Sequence, residues 1–272
     1  MLSELHRQND NYRIILKGMR FIMNEYVKNL NRIEFMVTMS CTGKCKHCSE
    51  GEHTNCTGHI DADAAVNAIR EVCENYKIES LMTFGGEPLL YPEIVCAIHS
   101  TATEMGIPQR DLITNGFFTK DLNRIKEVVQ VLKDSGVCRI LLSVDAFHQE
   151  TIPLDPVKYF AECVKKSRIS IYLSPAWLVS ENDNNQYNTR TREIIKEFDY
   201  LSIPVEAGNV VFPIGNALKY LKEYFVENVK YSNPYDENPK DIRTINFSSN
   251  GDVLDGNVYQ NKILDILDEY QP

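Results

Sequence analysis

The stretch Met39-Ser40-Cys41-Thr42-Gly43-Lys44-Cys45-Lys46-His47-Cys48-Ser49-Glu50-Gly51 sets three cysteines at C-x3-C-x2-C spacing, directly after an apolar, β-rich run. Thiolates are soft ligands, suited to iron–sulfur clusters and to zinc. Three on one tight loop could hold three irons of a [4Fe–4S] cluster and leave the fourth iron open. A closed tetrahedral zinc site would need a fourth ligand, which Cys56, His53 or His59 could supply. The Gly, Lys and Ser neighbours argue against inert cysteines in an apolar setting. The other five cysteines, Cys56, Cys73, Cys96, Cys138 and Cys163, are scattered. In a reducing compartment such crowding of the first three points to metal more than to disulfides.

Working outward from this loop, β-rich runs alternate with amphipathic ones. Strands are expected at Ile33–Met39, Ser80–Phe84, Asp111–Thr114, Cys138–Asp145, Ile169–Trp177 and Ile203–Phe212. Helices are expected at Asp61–Tyr76, Tyr91–Met105, Asp121–Asp134, Pro156–Lys166 and Arg190–Phe198, with Pro92 in a first turn. Strands alternating with helices imply a parallel sheet of βαβ units, six of them, open or curved towards a barrel. The loop over residues 40–60 leaves the carboxyl end of the first strand, where sites gather in parallel α/β folds. A helix is expected over residues 4–30. The division expected is residues 1–230, a barrel with its core over about 34–220, and residues 231–272, a polar turn-rich segment, a short hairpin (INFSSNGDVL) and a closing helix.

Composition narrows the partners. The chain has 272 residues, 43% of them hydrophobic and 25% charged, with a net charge of −9. That is an ordinary globular balance, and an acidic chain has no general pull on nucleic acid or an anionic membrane. The opening MLSELHRQND has no secretory apolar region and no run approaches a membrane span, so a cytoplasmic location is expected.

The cysteine spacing after a first strand resembles the radical S-adenosylmethionine superfamily, whose pattern is C-x3-C-x-Φ-C, with His47 at the aromatic position. Thr83-Phe84-Gly85-Gly86-Glu87-Pro88 resembles that family's GGEP motif, which holds the amino group of S-adenosylmethionine. There Gly85 and Gly86 would let backbone carbonyls approach the ammonium, while Glu87 would supply charge or brace the turn. Leu112–Gly116 resembles the third-strand TNG, with Asn115 near the methionine moiety. Leu141–Asp145 resembles the fourth-strand S-x-D segment, with Ser143 and Asp145 pointing at the cofactor. Val211–Ala217 resembles a P-x-G-R-A segment near the adenine, but Asn216 replaces the arginine, which puts that residue's contact in doubt. The tail from Ile245 to Val258 resembles the start of a SPASM extension without its cluster-binding cysteines.

The resemblance implies a partial (β/α)6 barrel. Cys41, Cys45 and Cys48 would hold an oxygen-sensitive [4Fe–4S] cluster, with His47, Gly85, Gly86, Glu87, Asn115, Ser143 and Asp145 around S-adenosylmethionine. An electron from a flavodoxin or ferredoxin would release a 5′-deoxyadenosyl radical that takes a hydrogen atom from substrate. His148, just beyond the fourth strand, could act as a general acid or base or bind substrate. Cys138 and Cys163 could donate a hydrogen atom, though their surroundings read as ordinary strand and helix. The favoured substrate is a residue of a peptide or protein, with recognition possible through a separate protein. A small molecule comes next, then a glycyl-radical protein to be activated. The non-enzyme alternative is a zinc-stabilised binding module.

Overall fold

Consecutive strands that all run parallel must be joined by crossovers, and right-handed crossovers stepping in one direction put every helix on the same face. That is the arrangement in the computed structural model, which describes residues 24–53, 56–226, 231, 233 and 236–272. Strands β1 (Arg32–Met36), β2 (Ser80–Phe84), β3 (Gln109–Thr114), β4 (Arg139–Leu142) and β5 (Ser170–Leu173) lie in sequence order in one sheet. All pair in parallel. Helices α1 (Ala62–Asn75), α2 (Pro92–Glu104), α3 (Leu122–Asp134) and α5 (Leu154–Ser167) are the crossovers, and neighbours in this series pack on one another.

Alternation along each strand sorts its side chains. Ile33, Phe35, Leu81, Leu112, Ile140, Leu142, Ile171 and Leu173 are buried beneath the helices. The opposite set, Arg32, Glu34, Met36, Met82, Phe84, Ile113 and Tyr172, is only half-buried and faces a lumen. Helices on one face and a partly open lumen on the other make the partial β/α barrel that the sequence predicts.

Its sixth strand comes from elsewhere. The run over residues 203–212 is broken: Val205 makes a parallel bridge to Leu173 at the end of β5, and β7 (Asn209–Val210) pairs with β6 (Ala176–Trp177) in a two-stranded parallel ribbon. The predicted strand Ile169–Trp177 breaks between β5 and β6, at Ser174 and Pro175, where a proline has no N–H for the ladder. The sixth place goes to β8 (Thr244–Phe247), which pairs in parallel with β1 from Arg32↔Thr244 to Phe35↔Phe247. Phe35 and Phe247 stack at 4.6 Å between centroids. The start of the C-terminal segment is thus a barrel strand rather than one arm of a hairpin laid on the barrel. The hairpin follows it, β9 (Asp252–Val253) against β10 (Gly256–Asn257), and α7 (Ile263–Glu269) closes the tail.

Residues 4–23 of the predicted N-terminal helix lie outside the described residues; residues 24–30 are a turn, with Val27 N–H donating to Asn24 C=O and Leu30 N–H to Val27 C=O. The predicted fourth strand stops at Leu142 because Asp145 caps a short helix, α4 (Ala146–Gln149), which the sequence reading missed. Helix α6 (Gln186–Lys196) starts before the predicted Arg190, capped by the Asn185 side chain. No helix among the described residues is long and apolar enough to cross a membrane.

Candidate cluster and cofactor site

The cysteine loop is cinched at its base. Val37 N–H donates to Phe84 C=O at 2.8 Å and Ile60 N–H to Val37 C=O at 2.9 Å. The Thr38 hydroxyl donates to Gly58 C=O at 2.6 Å and the Ser40 hydroxyl to Cys56 C=O at 2.7 Å. The GGEP turn then docks on this base: Gly86 N–H donates to Thr38 C=O at 2.7 Å and Glu87 N–H to Ser40 C=O at 2.8 Å. A side chain on Gly85 would run into the Thr38 backbone, and one on Gly86 into Met39 and Ser40. The sequence reading gave these glycines the task of admitting an ammonium group. Their missing side chains make room for the cysteine loop.

Glu87 braces the turn, one of the two tasks the sequence allowed it. Fully buried, its carboxylate accepts from Thr114 Oγ1 at 2.7 Å, Asn115 N–H at 2.8 Å and Leu89 N–H at 2.9 Å. These bonds tie the carboxyl ends of β2 and β3 together. Burial pushes its pKa up to about 7, against the pull of those three donors.

The cysteines are fastened from the far side as well. Asn216 Nδ2 donates to Cys45 C=O at 3.0 Å and Asn216 N–H to Cys48 C=O at 2.9 Å. Gly215, at φ +54°, presses on the backbone of Cys48 and Ser49. The segment expected near the adenine also clamps the cysteine turn, with Asn216 making both bonds. Sequence reading had no signal for it beyond the odd asparagine.

Three thiols on one tight loop suit a multi-iron cluster that leaves one iron open. Burial raises all three thiol pKa values, Cys41 to about 11, so a bound metal would have to displace their protons. Asn115 Nδ2 lies 3.7 Å from Cys41 Sγ and 3.2 Å from Thr42 Oγ1. His53 Nε2 is 3.1 Å from Cys48 Sγ. His59 points away, its ring against Tyr91 at 4.5 Å.

At the end of β4, Ser143 is half-buried, its N–H donating to Thr114 C=O at 2.9 Å. Asp145 is fully buried and does not stand free towards a cofactor. Its Oδ1 accepts from Phe147 and His148 N–H, each at 2.9 Å, and Oδ2 from Ala176 N–H at 3.0 Å. Oδ2 also meets His148 Nδ1 at 2.8 Å. Burial opposes the charge on Asp145, but His148 outweighs it and holds the carboxyl far below its usual range. Burial likewise opposes charging His148, and Asp145 overcomes that, raising its pKa. Asp145 and His148 thus form one unit, where sequence reading separated a cofactor residue from a substrate residue. His47 lies against both Phe147 and His148, with centroids at 4.8 and 4.9 Å, and burial lowers its pKa to about 4.

The protein-family model for the radical SAM superfamily matches residues 35–170. A curated relative, a probable GTP 3′,8-cyclase from Saccharolobus islandicus (strain L.S.2.15 / Lassen #1), is 27% identical over 220 residues, covering 75% of this chain and 67% of its own length. Among solved structures, native anSMEcpe with bound AdoMet aligns with a TM-score of 0.58 at 14% identity, over 89% of this chain and 81% of that one. Streptococcus suis SuiB bound to precursor peptide SuiA aligns with a TM-score of 0.56 at 14% identity, over 97% and 69%. At such identity these two structures support the fold alone. The matched segment runs from β1 through the cysteine loop, the GGEP turn and β4 to the start of β5, and it places the chain in the radical SAM superfamily of enzymes, whose cofactors are a [4Fe–4S] cluster and S-adenosylmethionine.

Proposed function

We propose that Cys41, Cys45 and Cys48 hold the cluster and that the substrate is a residue of a peptide or protein held in the lumen. When reduced, the cluster and S-adenosylmethionine together supply a 5′-deoxyadenosyl radical that takes a hydrogen atom from substrate. The chain's own part is to hold one C–H bond in place and keep water away. Asn115, beside Cys41, and Ser143 are the groups best set to orient the cofactor; Glu87 and Asp145 hold the strand ends that carry them. Electrons come from a flavodoxin or ferredoxin-type donor, and a separate protein could deliver the peptide.

One observation carries the substrate reading. Among the described residues, three carboxylates, Glu34, Asp111 and Glu206, stand with two guanidiniums, Arg32 and Arg139, on the lumen side of the sheet. Both guanidiniums are taken: Arg32 by Glu34 at 2.6 Å, and Arg139 by Asp111 at 2.6 Å and Glu206 at 3.5 Å. The relatives' name favours a second substrate, a purine nucleotide. A triphosphate would have to pull these guanidiniums from their carboxylates and sit beside the excess negative charge. A peptide needs no such exchange: Ser170, Asn246 and Tyr172 offer it hydrogen bonds, and Met36, Phe84 and Ile113 offer apolar contact.

Two expected results test this. Anaerobically reconstituted protein takes up about four irons and about four sulfides, and replacing Cys41, Cys45 and Cys48 together by Ala removes the broad absorbance near about 400 nm. Single changes at Cys56, Cys73, Cys96, Cys138 or Cys163 leave it intact. A chromophore that survives the triple change refutes the ligand assignment. With reduced, loaded enzyme, saturating GTP leaves 5′-deoxyadenosine formation within about twofold of the substrate-free rate, while a cell-derived peptide pool raises it at least about tenfold, worth roughly 1.4 kcal/mol of barrier. Stimulation by GTP and not by peptides overturns the peptide reading.

A further inference from the structure

Besides the three-thiol set, the described residues hold one group able to take a metal ion. Cys45 Sγ and a ring nitrogen from each of His47 and His148 lie within 4.8 Å of one another. Two features favour coordination there. His148 Nδ1 is 2.8 Å from Asp145 Oδ2, which orients the ring and leaves Nε2 as the free nitrogen. A carboxylate behind a ligating imidazole is the usual support for a divalent metal. His47 Nδ1 is buried and has no hydrogen-bond partner, so a polar atom here lacks what a cation would give it. The two rings already approach at 4.9 Å between centroids. A contraction of about 1 Å would bring the three atoms to the spacing of a tetrahedral zinc site, with water fourth.

We propose that the chain without its cluster binds one zinc-type divalent cation through Cys45, His47 and His148, and that this site and the cluster exclude each other because both require Cys45. The exclusion rests on the cluster assignment above; the cation site itself does not. On binding, the Cys45 thiol gives its proton to solvent, one sulfur–metal bond forms, both imidazoles stay neutral, and nothing is oxidised or reduced. A cell rich in available zinc would then hold newly made chain in a form that cannot accept iron and sulfide until the cation leaves. His47 and His148 would be the residues that set how strongly the two metals compete.

The test uses the full chain, freed of its cluster under reductant and without oxygen, titrated with cobalt(II) and then zinc. One equivalent of cobalt should give the intense visible bands of a tetrahedral site with a sulfur-to-metal charge-transfer band, and zinc should bleach both. Cys45→Ser, His47→Ala and His148→Ala should each weaken binding at least about tenfold, in the range that ligand-shell changes produce. Cys41→Ser and Cys48→Ser should change it by less than about twofold. His148→Gln keeps a polar side chain of similar size, and its circular dichroism melt separates lost ligation from lost fold; a folded His148→Gln that binds cobalt as tightly as the parent refutes the site. Bands that persist in Cys45→Ser also refute it, and bands that vanish in Cys41→Ser or Cys48→Ser refute it and put the cation among the three thiols. Cluster-loaded protein should take up no cobalt at this site. Uptake with the cluster absorbance intact would overturn the exclusion while leaving the cluster assignment standing.

Discussion

Gly86→Ala should yield a protein that no longer holds its cluster, before S-adenosylmethionine is added. The new methyl group would land on the Ser40 carbonyl, 2.7 Å from its carbon and 2.8 Å from the Met39 oxygen. Backbone on both sides leaves nothing flexible to give way. Small-to-large changes in tight packing cost about 1–3 kcal/mol, and this one should reach the upper end because Gly86 N–H and Glu87 N–H also anchor the cysteine loop. Denaturant unfolding and iron content after reconstitution measure both effects. A variant with normal stability and normal iron, deficient only in S-adenosylmethionine affinity, would restore the glycine to a cofactor-facing role.

Asp145→Ala should be the most damaging single change on the fourth strand. Its carboxylate satisfies the N–H groups of Phe147, His148 and Ala176 and holds the His148 ring. Removing it strands three buried or half-buried donors and frees the first turn of α4, a loss of about 3–5 kcal/mol. His148→Ala leaves the carboxylate with its three backbone donors and should cost much less, about 1–2 kcal/mol. Thermal melts of the cluster-free proteins should rank them in that order. Equal melting temperatures for Asp145→Ala and the parent protein would show that the carboxylate is not the brace its bonds describe.

The motifs that name the chemistry were legible because each is a short run fixed by local covalent spacing: three thiols within one loop, two glycines and a glutamate after a strand. The first five strands were legible for a similar reason, since apolar β-rich runs bounded by polar helices leave few registers. What the residues do to one another was not. Glu87 reads in the sequence as either a charge or a brace, and the partners it braces, Thr114 and Asn115, arrive only from the next strand. Asn216 reads as a defect in a motif and becomes a clamp on Cys45 and Cys48, far away in the chain. The run Ile203–Phe212 meets β5 by one bridge and β6 by a two-residue ribbon, while the equally β-prone Thr244–Phe247 pairs along β1. Propensity does not say which run finds an open edge.

That edge has a consequence for the order in which the molecule can be made. Strand β1 carries the cysteine loop, yet its outer neighbour β8 is synthesised some three quarters of the chain later. On the ribosome, β2 through β5 can assemble on one flank of β1 while its other flank stays bare, with Phe35 waiting for Phe247. A bare parallel edge is slow to satisfy and prone to pairing with the wrong chain. The nascent protein is thus most adhesive beside the segment that must receive iron and sulfide. Chains released before Phe247 should aggregate through β1, and delivery of the cluster should follow translation of β8 rather than emergence of the cysteines.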